Sequence, residues 1–185
     1  LLLTGPNMGG KSTLIRQVML AALMAHVGAD VPAASFTMTA ADAIFVRMGA
    51  KDNIVAGQST FMTELSETSV MLRRATTHSL VAMDELGRGT STSDGAAIAA
   101  AVADHLVDLG PRSMFSTHYH RLADDRADDD RVRLGHMGCE VRGAPGAEEV
   151  TFLYKLTRGA CPKSYGVNVA RLAGLPERVL LAAAK

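Results

Sequence analysis

The residues best suited to chemistry lie near the start of the chain, in a glycine-rich segment. It reads Gly5-Pro6-Asn7-Met8-Gly9-Gly10-Lys11-Ser12-Thr13, which fits the phosphate-binding loop pattern of glycine, four residues and Gly-Lys-Ser/Thr. Glycines let the backbone close around phosphates with amide N–H groups pointing inward, and a helix N-terminus adds partial positive charge. We expect Lys11 to reach the β- and γ-phosphates of a nucleotide and the Ser12 hydroxyl to ligate Mg²⁺. The plainer alternative is a glycine-rich turn without a ligand.

The segments that flank this motif have the composition that its mechanism requires. Leu1-Leu2-Leu3-Thr4 is a short apolar run, typical of a buried strand. The residues from Leu14 to Met24 are apolar and contain no glycine, as expected of a helix. The order of strand, loop and helix therefore favours a nucleotide site over an ordinary turn.

A second candidate site is the segment Leu80-Val81-Ala82-Met83-Asp84-Glu85, in which an apolar strand ends in two carboxylates. Ligands bind beyond the carboxyl ends of parallel strands. We expect Asp84 to hold Mg²⁺ through water and Glu85 to act as general base on an attacking water. An exposed Asp-Glu pair after a strand is common by itself, but a phosphate-binding loop in the same chain favours the functional interpretation.

Two further segments are compatible with a nucleotide site. The loop from Gly87 to Gly95 is longer than most strand-to-helix loops and carries hydroxyl and acidic side chains, which favours a function. The strand predicted over Ser113–His118 ends in a histidine whose neutral imidazole could hydrogen-bond the γ-phosphate or the attacking water. The alternatives are that the first segment is an ordinary loop and that the histidine is part of the polar surface.

The segment Ser59-Thr60-Phe61-Met62-Thr63-Glu64 has the pattern of a helix start. Ser59 or Thr60 would cap the helix, and Glu64 would lie in its early turns. A helix N-terminus also binds anions, but from spacing alone the cap is a sufficient explanation.

Composition limits the class of protein. The 185 residues suit one domain, the 48% hydrophobic content indicates a globular fold, and the net charge of zero gives no general attraction for nucleic acid. Cys139 and Cys161 lack the spacing of metal ligands or of a disulfide framework, which favours a reducing compartment. Neither a membrane span nor a signal peptide is predicted. The chain begins inside a predicted strand and ends inside a predicted helix, so we expect a fragment cut at both ends.

The order of elements predicts an α/β fold with a mostly parallel sheet flanked by helices. Besides the flanking strand and helix above, the predicted helices are Thr60–Thr76, Ala96–Leu109, Ser164–Gly174 and Pro176–Lys185. The predicted strands are two within Ala33–Arg47, then Ser79–Met83, Arg112–Thr117, and an antiparallel pair, Val132–Val141 and Glu149–Leu156, around a turn at Gly143–Gly146. The charged run Asp124–Arg133 is predicted to be a solvated surface.

Four segments, in this order, resemble the MutS family of mismatch-repair ATPases. They are Gly5–Thr13, Ser59-Thr60-Phe61 with Glu64, Asp84-Glu85-Leu86-Gly87-Arg88-Gly89-Thr90, and Ser116-Thr117-His118-Tyr119. The resemblance extends over essentially all 185 residues. Further matches at Arg133–Met137, Phe152–Lys155 and Gly159–Gly166 resemble one eukaryotic branch, MutS homologue six, the mismatch-reading subunit of a heterodimer.

The resemblance implies a P-loop NTPase fold of the ABC type, here a MutS-type C-terminal ATPase domain over residues 1–185. In that fold two subunits pair head to tail, and each nucleotide lies between them. Lys11, Ser12, Asp84, Glu85 and His118 would serve the chain's own nucleotide. Asn7 would lie near the γ-phosphate and Tyr154 near the adenine. Ser59 would instead reach the γ-phosphate of the partner subunit, and Gly87–Thr92 would lie at the subunit interface.

The implied ligands are ATP and Mg²⁺. The implied partners are MutS homologue two, as the second subunit, and mismatched duplex DNA, through domains outside this chain. The implied location is the nucleus, and the implied function is ATP hydrolysis that switches a DNA clamp.

Two other functions remain as alternatives. One is a nucleotide-binding switch with little turnover, which the presence of Glu85 disfavours. The other is a different ABC-type DNA-repair ATPase with coiled-coil arms, but the stretch between Lys11 and Asp84 is short and has no sustained heptads. A P-loop kinase would need an arginine-rich lid, which is not evident in the sequence.

Overall fold

The chain folds around a six-stranded sheet in the computed structural model, which describes residues 1–6, 8–49, 59–143, 149–163 and 165–183. Within these ranges the strands are β1 Leu2–Thr4, β2 Ile44–Arg47, β3 Leu80–Asp84, β4 Arg112–Ser116, β5 Leu134–Arg142 and β6 Glu149–Arg158. The helices are α1 Lys11–His26, α2 Thr60–Arg74, α3 Thr92–Leu109, α4 His120–Asp124, α5 Gly166–Leu172 and α6 Glu177–Ala183. No helix in the described ranges is long and apolar enough to cross a membrane.

The sheet is parallel except at one edge. Its strand order is β2-β3-β4-β1-β5-β6, and β6 pairs antiparallel to β5 while the other neighbours are parallel. This confirms the predicted mostly parallel sheet with an antiparallel addition. The turn predicted between β5 and β6 falls largely at 144–148, outside the described residues. In register, Ser116 at the end of β4 lies opposite both Leu3 of β1 and Asp84 of β3, so these strand ends meet at one edge.

Side chains that alternate along the strands form two cores, one on each face of the sheet. Leu80 and Ala82 pack on the face covered by α1, whose inward residues include Ile15. Val81 and Met83 pack on the opposite face, with α3 and Met71 of α2. Because both faces are covered, β3 is apolar until its last residue, and its polar end marks the edge of the sheet.

The segment from 33 to 43 contains no strand, so the first of two strands predicted within Ala33–Arg47 is wrong. Side chains from elsewhere in the fold form hydrogen bonds with part of its backbone. Arg112 donates hydrogen bonds to the carbonyls of Thr39 (2.6 Å) and Ala40 (3.3 Å). The N–H of Ala41 donates to Nε2 of His26 (2.9 Å) at the end of α1. This segment is therefore held against the start of β4 and the end of α1, but it forms no strand of the sheet.

The charged run after α4 is not entirely solvated, which corrects the prediction for Asp124–Arg133. Arg126 is only 8% exposed. Its guanidinium donates to the carbonyls of Leu122 (3.1 Å) and Ala100 (3.0 Å) and pairs with Asp104. Burial of this charge is offset because carbonyl and carboxylate oxygens pair with the two terminal nitrogens of its guanidinium.

Helix α3 begins at Thr92, inside the loop predicted over Gly87–Gly95. Ser91 is its N-cap, and its Oγ accepts a hydrogen bond from the N–H of Asp94 (3.2 Å). The loop between β3 and α3 is therefore Glu85 to Ser91. Near the end of the chain both predicted short helices are present, and Ser164 and 184–185 lie outside the described residues.

Candidate nucleotide-binding site

The glycine-rich segment forms the turn between β1 and α1, as predicted. Its backbone adopts positive φ at Gly5 (129°), Met8 (70°) and Gly10 (96°), and the N–H of Gly9 donates to the Pro6 carbonyl at 3.2 Å. Helix α1 begins within the same segment, at Lys11. The turn therefore brings the amides at the start of α1 to the sheet edge, where an anion would meet the positive end of the helix. Asn7 and residues 50–58, which precede Ser59, lie outside the described residues.

A cavity of about 750 Å³ opens beside this turn. Its size is that of a small-molecule site. The turn, the end of β3, the end of β2, α2 and β6 all contribute to its wall. The wall includes Pro6, Met8, Gly10, Lys11, Ser12, Thr13, Arg47, Glu64, Asp84, Glu85, Arg88 and Tyr154. Two motifs that are far apart in sequence, the glycine-rich turn and the Asp-Glu pair, therefore meet in one cavity.

Lys11 lines the cavity and is buried, with only 4% of it exposed. Its Nζ donates hydrogen bonds to the carbonyls of Gly5 (2.7 Å) and Pro6 (3.2 Å) and lies 3.3 Å from Oε1 of Glu85. Burial lowers the pKa of Lys11 to about 8, the carboxylate of Asp84 opposes this shift, and the charge of Arg88 adds to it. At neutral pH the ammonium is thus mostly charged and held in place.

The two carboxylates that follow β3 have different surroundings. Oδ1 of Asp84 accepts a hydrogen bond from the hydroxyl of Ser116, its neighbour across the sheet. The N–H of Glu85 donates to the Ser116 carbonyl (3.1 Å), and Glu85 adopts a left-handed φ of 56°. Its carboxylate contacts Lys11 and Arg88. Asp84 thus continues the strand, while Glu85 turns toward the positive charges of the cavity.

His118 and Ser59 are not part of the cavity wall formed by the described residues. His118 lies two residues after β4, is exposed, and its ring centre is 4.0 Å from that of Tyr119. Partial burial of its ring, followed by the charges of Arg88 and Lys11, lowers the pKa of His118, which favours the neutral imidazole at pH 7. Ser59 is the exposed N-cap of α2, and its Oγ accepts from the N–H of Met62 (3.2 Å), as the capping interpretation predicts.

The residues present fit Mg²⁺ only in a site that is shared with a ligand. No group of three or more His, Cys, Asp or Glu side chains suited to a metal occurs in the described part of the chain. Ser12 and Asp84, however, both face the same cavity. Mg²⁺ is commonly held by one or two protein oxygens together with phosphate oxygens and water, so these two residues match its usual binding mode.

Sequence reasoning missed several residues of the site. Arg47 ends β2 and is 4% exposed, Arg88 contacts Glu85, and Ser116 holds Asp84. Arg47 lies far from either motif in sequence and reaches the cavity because β2 is the neighbour of β3. Ser116 and Arg88 had a usable signal, because Ser116 ends the strand that precedes His118 and Arg88 lies in the motif that begins with Asp84-Glu85.

The comparisons with known proteins agree with the geometry. Residues 1–185 match the family described as MutS domain V. The chain belongs to the MutS family. It is 65% identical over 182 residues to the DNA mismatch repair protein MSH6 of Arabidopsis thaliana, covering 97% of this chain and 14% of the relative. It is 58% identical over 183 residues to the probable DNA mismatch repair protein Msh6 of Drosophila melanogaster, covering 97% of this chain and 15% of the relative. It is 56% identical over 183 residues to the DNA mismatch repair protein Msh6 of Homo sapiens, covering 97% of this chain and 14% of the relative.

This MutS-family chain is MSH6-like, as predicted. Its identity to DNA mismatch repair protein msh3 of Aspergillus fumigatus is lower, at 52% over 183 residues. The chain spans only about 14–15% of the length of the MSH6 relatives it matches.

Proposed function

We propose that this chain is the ATP-binding and ATP-hydrolysing domain of a DNA mismatch repair protein, with a P-loop NTPase fold of the ABC type over residues 1–185. The observation that carries the proposal is the meeting of Lys11, Ser12, Asp84 and Glu85 in one cavity, at the carboxyl edge of a parallel sheet. The names of the relatives, DNA mismatch repair proteins, support the biological role.

Each residue at the cavity has a role that follows from its chemistry. The turn formed by Gly5, Pro6, Met8, Gly9 and Gly10, with Asn7 between them, would surround the phosphates, and Thr13 would extend that contact into α1. Lys11 would bind the β- and γ-phosphates. Ser12 and Asp84 would hold Mg²⁺, which supplies neutralising charge to the phosphates when it is bound.

Glu85 would accept a proton from the attacking water. The water oxygen bonds to the γ-phosphorus while the bond from that phosphorus to the β–γ bridging oxygen breaks, which gives ADP and phosphate. The charge of Lys11 stabilises the negative charge that develops on the transferring group. A neutral His118 would hydrogen-bond the γ-phosphate or the water, and Tyr154, in the cavity wall, would pack near the adenine.

The assembly is proposed on the same basis. Ser59 is exposed at the N-terminus of α2 and would contact the γ-phosphate held by a second MutS-type subunit, MutS homologue two. The longer protein would work in the nucleus and contact mismatched duplex DNA through other domains, and ATP turnover would switch its DNA clamp. The zero net charge of this chain agrees with DNA contacts that lie elsewhere.

One observation favours the alternative of a nucleotide-binding switch with little turnover. The carboxylate of Glu85 contacts two cations, Lys11 and Arg88. A carboxylate held in this way is less free to accept a proton from water. Replacement of Glu85 separates the two functions.

The test is Glu85→Gln in the full-length subunit, assembled with its partner. We expect Kd for ATP at this subunit to stay within about twofold, because the phosphate and Mg²⁺ contacts remain. Turnover at this site should fall by about 10²-fold or more, the usual contribution of a general base. Exposed Glu140, changed to Gln, is the matched control and should retain normal turnover. If the wild-type subunit binds ATP but turns over no faster than Glu85→Gln, the switch function is correct and hydrolysis by this chain is not.

A further inference from the structure

Glu64 is a buried carboxylate on α2 that reaches the loop after Glu85. It is 5% exposed, and its Oε1 accepts a hydrogen bond from the N–H of Gly87 at 3.0 Å. The same oxygen lies 3.7 Å from the guanidinium of buried Arg47. A buried carboxylate is costly unless it is paired and hydrogen-bonded, so a specific geometry is required here.

Gly87 is anchored on both sides. Its carbonyl accepts a hydrogen bond from the hydroxyl of Tyr119 (3.0 Å), while its N–H donates to Glu64. Its φ is 94°, and its backbone touches Gly95 so closely that a β-carbon at Gly95 would lie 2.3 Å from the Gly87 oxygen. The loop therefore has one defined position relative to α2, α3 and Tyr119.

This anchor lies two residues after the proposed base. Glu85 has a left-handed φ of 56°, and Leu86, the residue between them, is 1% exposed. With the N–H of Glu85 fixed on Ser116 and Gly87 fixed on Glu64, the peptide between them has little freedom. The direction of the Glu85 side chain depends on both attachments.

Helix α2 touches the loop at a second point. A β-carbon at Gly89 would lie 2.6 Å from Cβ of Phe61, so the loop backbone packs directly on the helix. Ser59, which is proposed to contact the partner's nucleotide, caps the same helix. A displacement of α2 would thus reach the loop through both Phe61 and Glu64.

We propose that Glu64 is a positioning residue, which fixes Gly87 and through it Glu85, and so couples the geometry of the base to the position of α2. This inference rests on the proposed function. It adds a physical link between the helix that would sense the partner's nucleotide and the base of the chain's own site.

The test uses the full-length protein with its partner subunit and two variants of Glu64. Glu64→Ala removes the acceptor for Gly87, whereas Glu64→Gln keeps an oxygen that can accept the same hydrogen bond. Glu67→Ala is the matched control, because Glu67 is on the same helix and also pairs with Arg47 (3.0 Å) but is 57% exposed. We expect Glu64→Ala to lower kcat about tenfold or more, with Kd for a non-hydrolysable ATP analogue within about twofold. Glu64→Gln should recover most of kcat, and Glu67→Ala should be close to wild type.

Hydrogen exchange gives a readout that does not depend on activity. Amides of residues 85–91 should exchange faster in Glu64→Ala than in wild type, and not in Glu67→Ala. Because Glu64→Ala could fail to fold, Tyr119→Phe provides a second variant that removes only the hydroxyl on the other side of Gly87. It should lower kcat and loosen the same loop without changing Kd.

The outcomes separate the two claims. If Glu85→Gln does not reduce turnover, the proposed function fails and the inference fails with it. If Glu85→Gln abolishes turnover while Glu64→Ala or Tyr119→Phe folds with normal kcat and normal exchange in 85–91, the function stands and the positioning role is refuted. Equal loss of kcat and of nucleotide binding in Glu64→Ala would also refute it, because it would indicate general damage.

Discussion

Lys11 is the residue at which burial and charge oppose each other most directly. The sequence motif predicts that Lys11 binds phosphates, and the fold buries it against the carbonyls of Gly5 and Pro6. Burial lowers its pKa from 10.5 to about 8, so the charge is lost within the pH range of ordinary assays. In the free protein, loss of the Lys11 charge increases the free energy of unfolding as the pH rises from about 8 to 10.5. A phosphate, in contrast, binds the charged form of the lysine.

ATP binding should therefore weaken as the pH rises through about 8. A pKa of about 8 leaves Lys11 mostly protonated at pH 7 and mostly neutral at pH 9, so Kd at this subunit should increase about tenfold between them. Photocrosslinking of labelled ATP to the subunit, titrated at each pH, measures this. Lys11→Met should bind weakly at pH 7 and show a flat profile. A flat wild-type profile would mean that the charge of Lys11 does not control affinity.

The sequence predicts part of the site at the residue scale. Lys11, Ser12, Asp84 and Glu85 were recognisable because each motif is local and its residues are neighbours in the chain. Arg47 and the contact from Glu64 to Gly87 were not, since they depend on which strand lies next to β3 and on how α2 docks. Long-range neighbours of this kind have no local signature.

At the scale of elements, the loop from Glu85 to Ser91 depends on tight contact between backbone segments. Gly95 in the first turn of α3 lies against Gly87 and the Tyr119 hydroxyl, and a β-carbon there would meet these atoms at 2.3 and 2.5 Å. Backbone atoms cannot rotate away as a side chain does, so α3 or the loop would have to move.

Gly95→Ala should consequently lower the free energy of unfolding by about 2 kcal/mol, within the usual cost of overpacking. That corresponds to a decrease in Tm of roughly 4–8 °C for a domain of this size. Gly166→Ala is the matched control, because Gly166 is also helical and a β-carbon there meets nothing within 4 Å. It should be neutral or stabilising by up to about 1 kcal/mol. Thermal unfolding followed by circular dichroism compares the two variants with wild type. A Tm of Gly95→Ala equal to that of wild type would show that α3 moves away from the loop without loss of stability.

Most elements were predictable because periodicity and composition are local properties. The apolar strand before Asp84 and the alanine-rich helix α3 are examples of this kind. The errors lie where contacts between residues distant in sequence decide the structure. Arg112 holds residues 33–43 by hydrogen bonds, and Arg126 is buried because it bonds the carbonyls of Ala100 and Leu122. The early start of α3 was an error of another kind, because the Ser91–Asp94 cap is a local signal that was read as loop.

At the scale of the whole molecule, the distribution of the proposed site residues is compatible with the proposed assembly. Lys11, Ser12, Asp84 and Glu85 share one cavity, whereas Ser59 is exposed at the N-terminus of α2 and does not line it. An exposed helix N-terminus with a hydroxyl can bind an anion that another subunit presents. The arrangement agrees with a head-to-tail pair in which each chain completes the site of the other.

Ser59 should accordingly act on the partner's nucleotide, and a double variant separates this from a role in its own site. In a heterodimer whose subunit carries Glu85→Gln, the remaining turnover comes from the partner's site. Adding Ser59→Ala to that subunit should lower this remaining turnover about tenfold, because a contact to the γ-phosphate is lost from the site across the interface. Thr63→Ala on the same helix is the control, since its hydroxyl bonds the Ser59 carbonyl at 3.3 Å and does not form the cap. If the remaining turnover is unchanged by Ser59→Ala, while Ser59→Ala alone lowers turnover, the serine acts within its own subunit and the composite site is wrong.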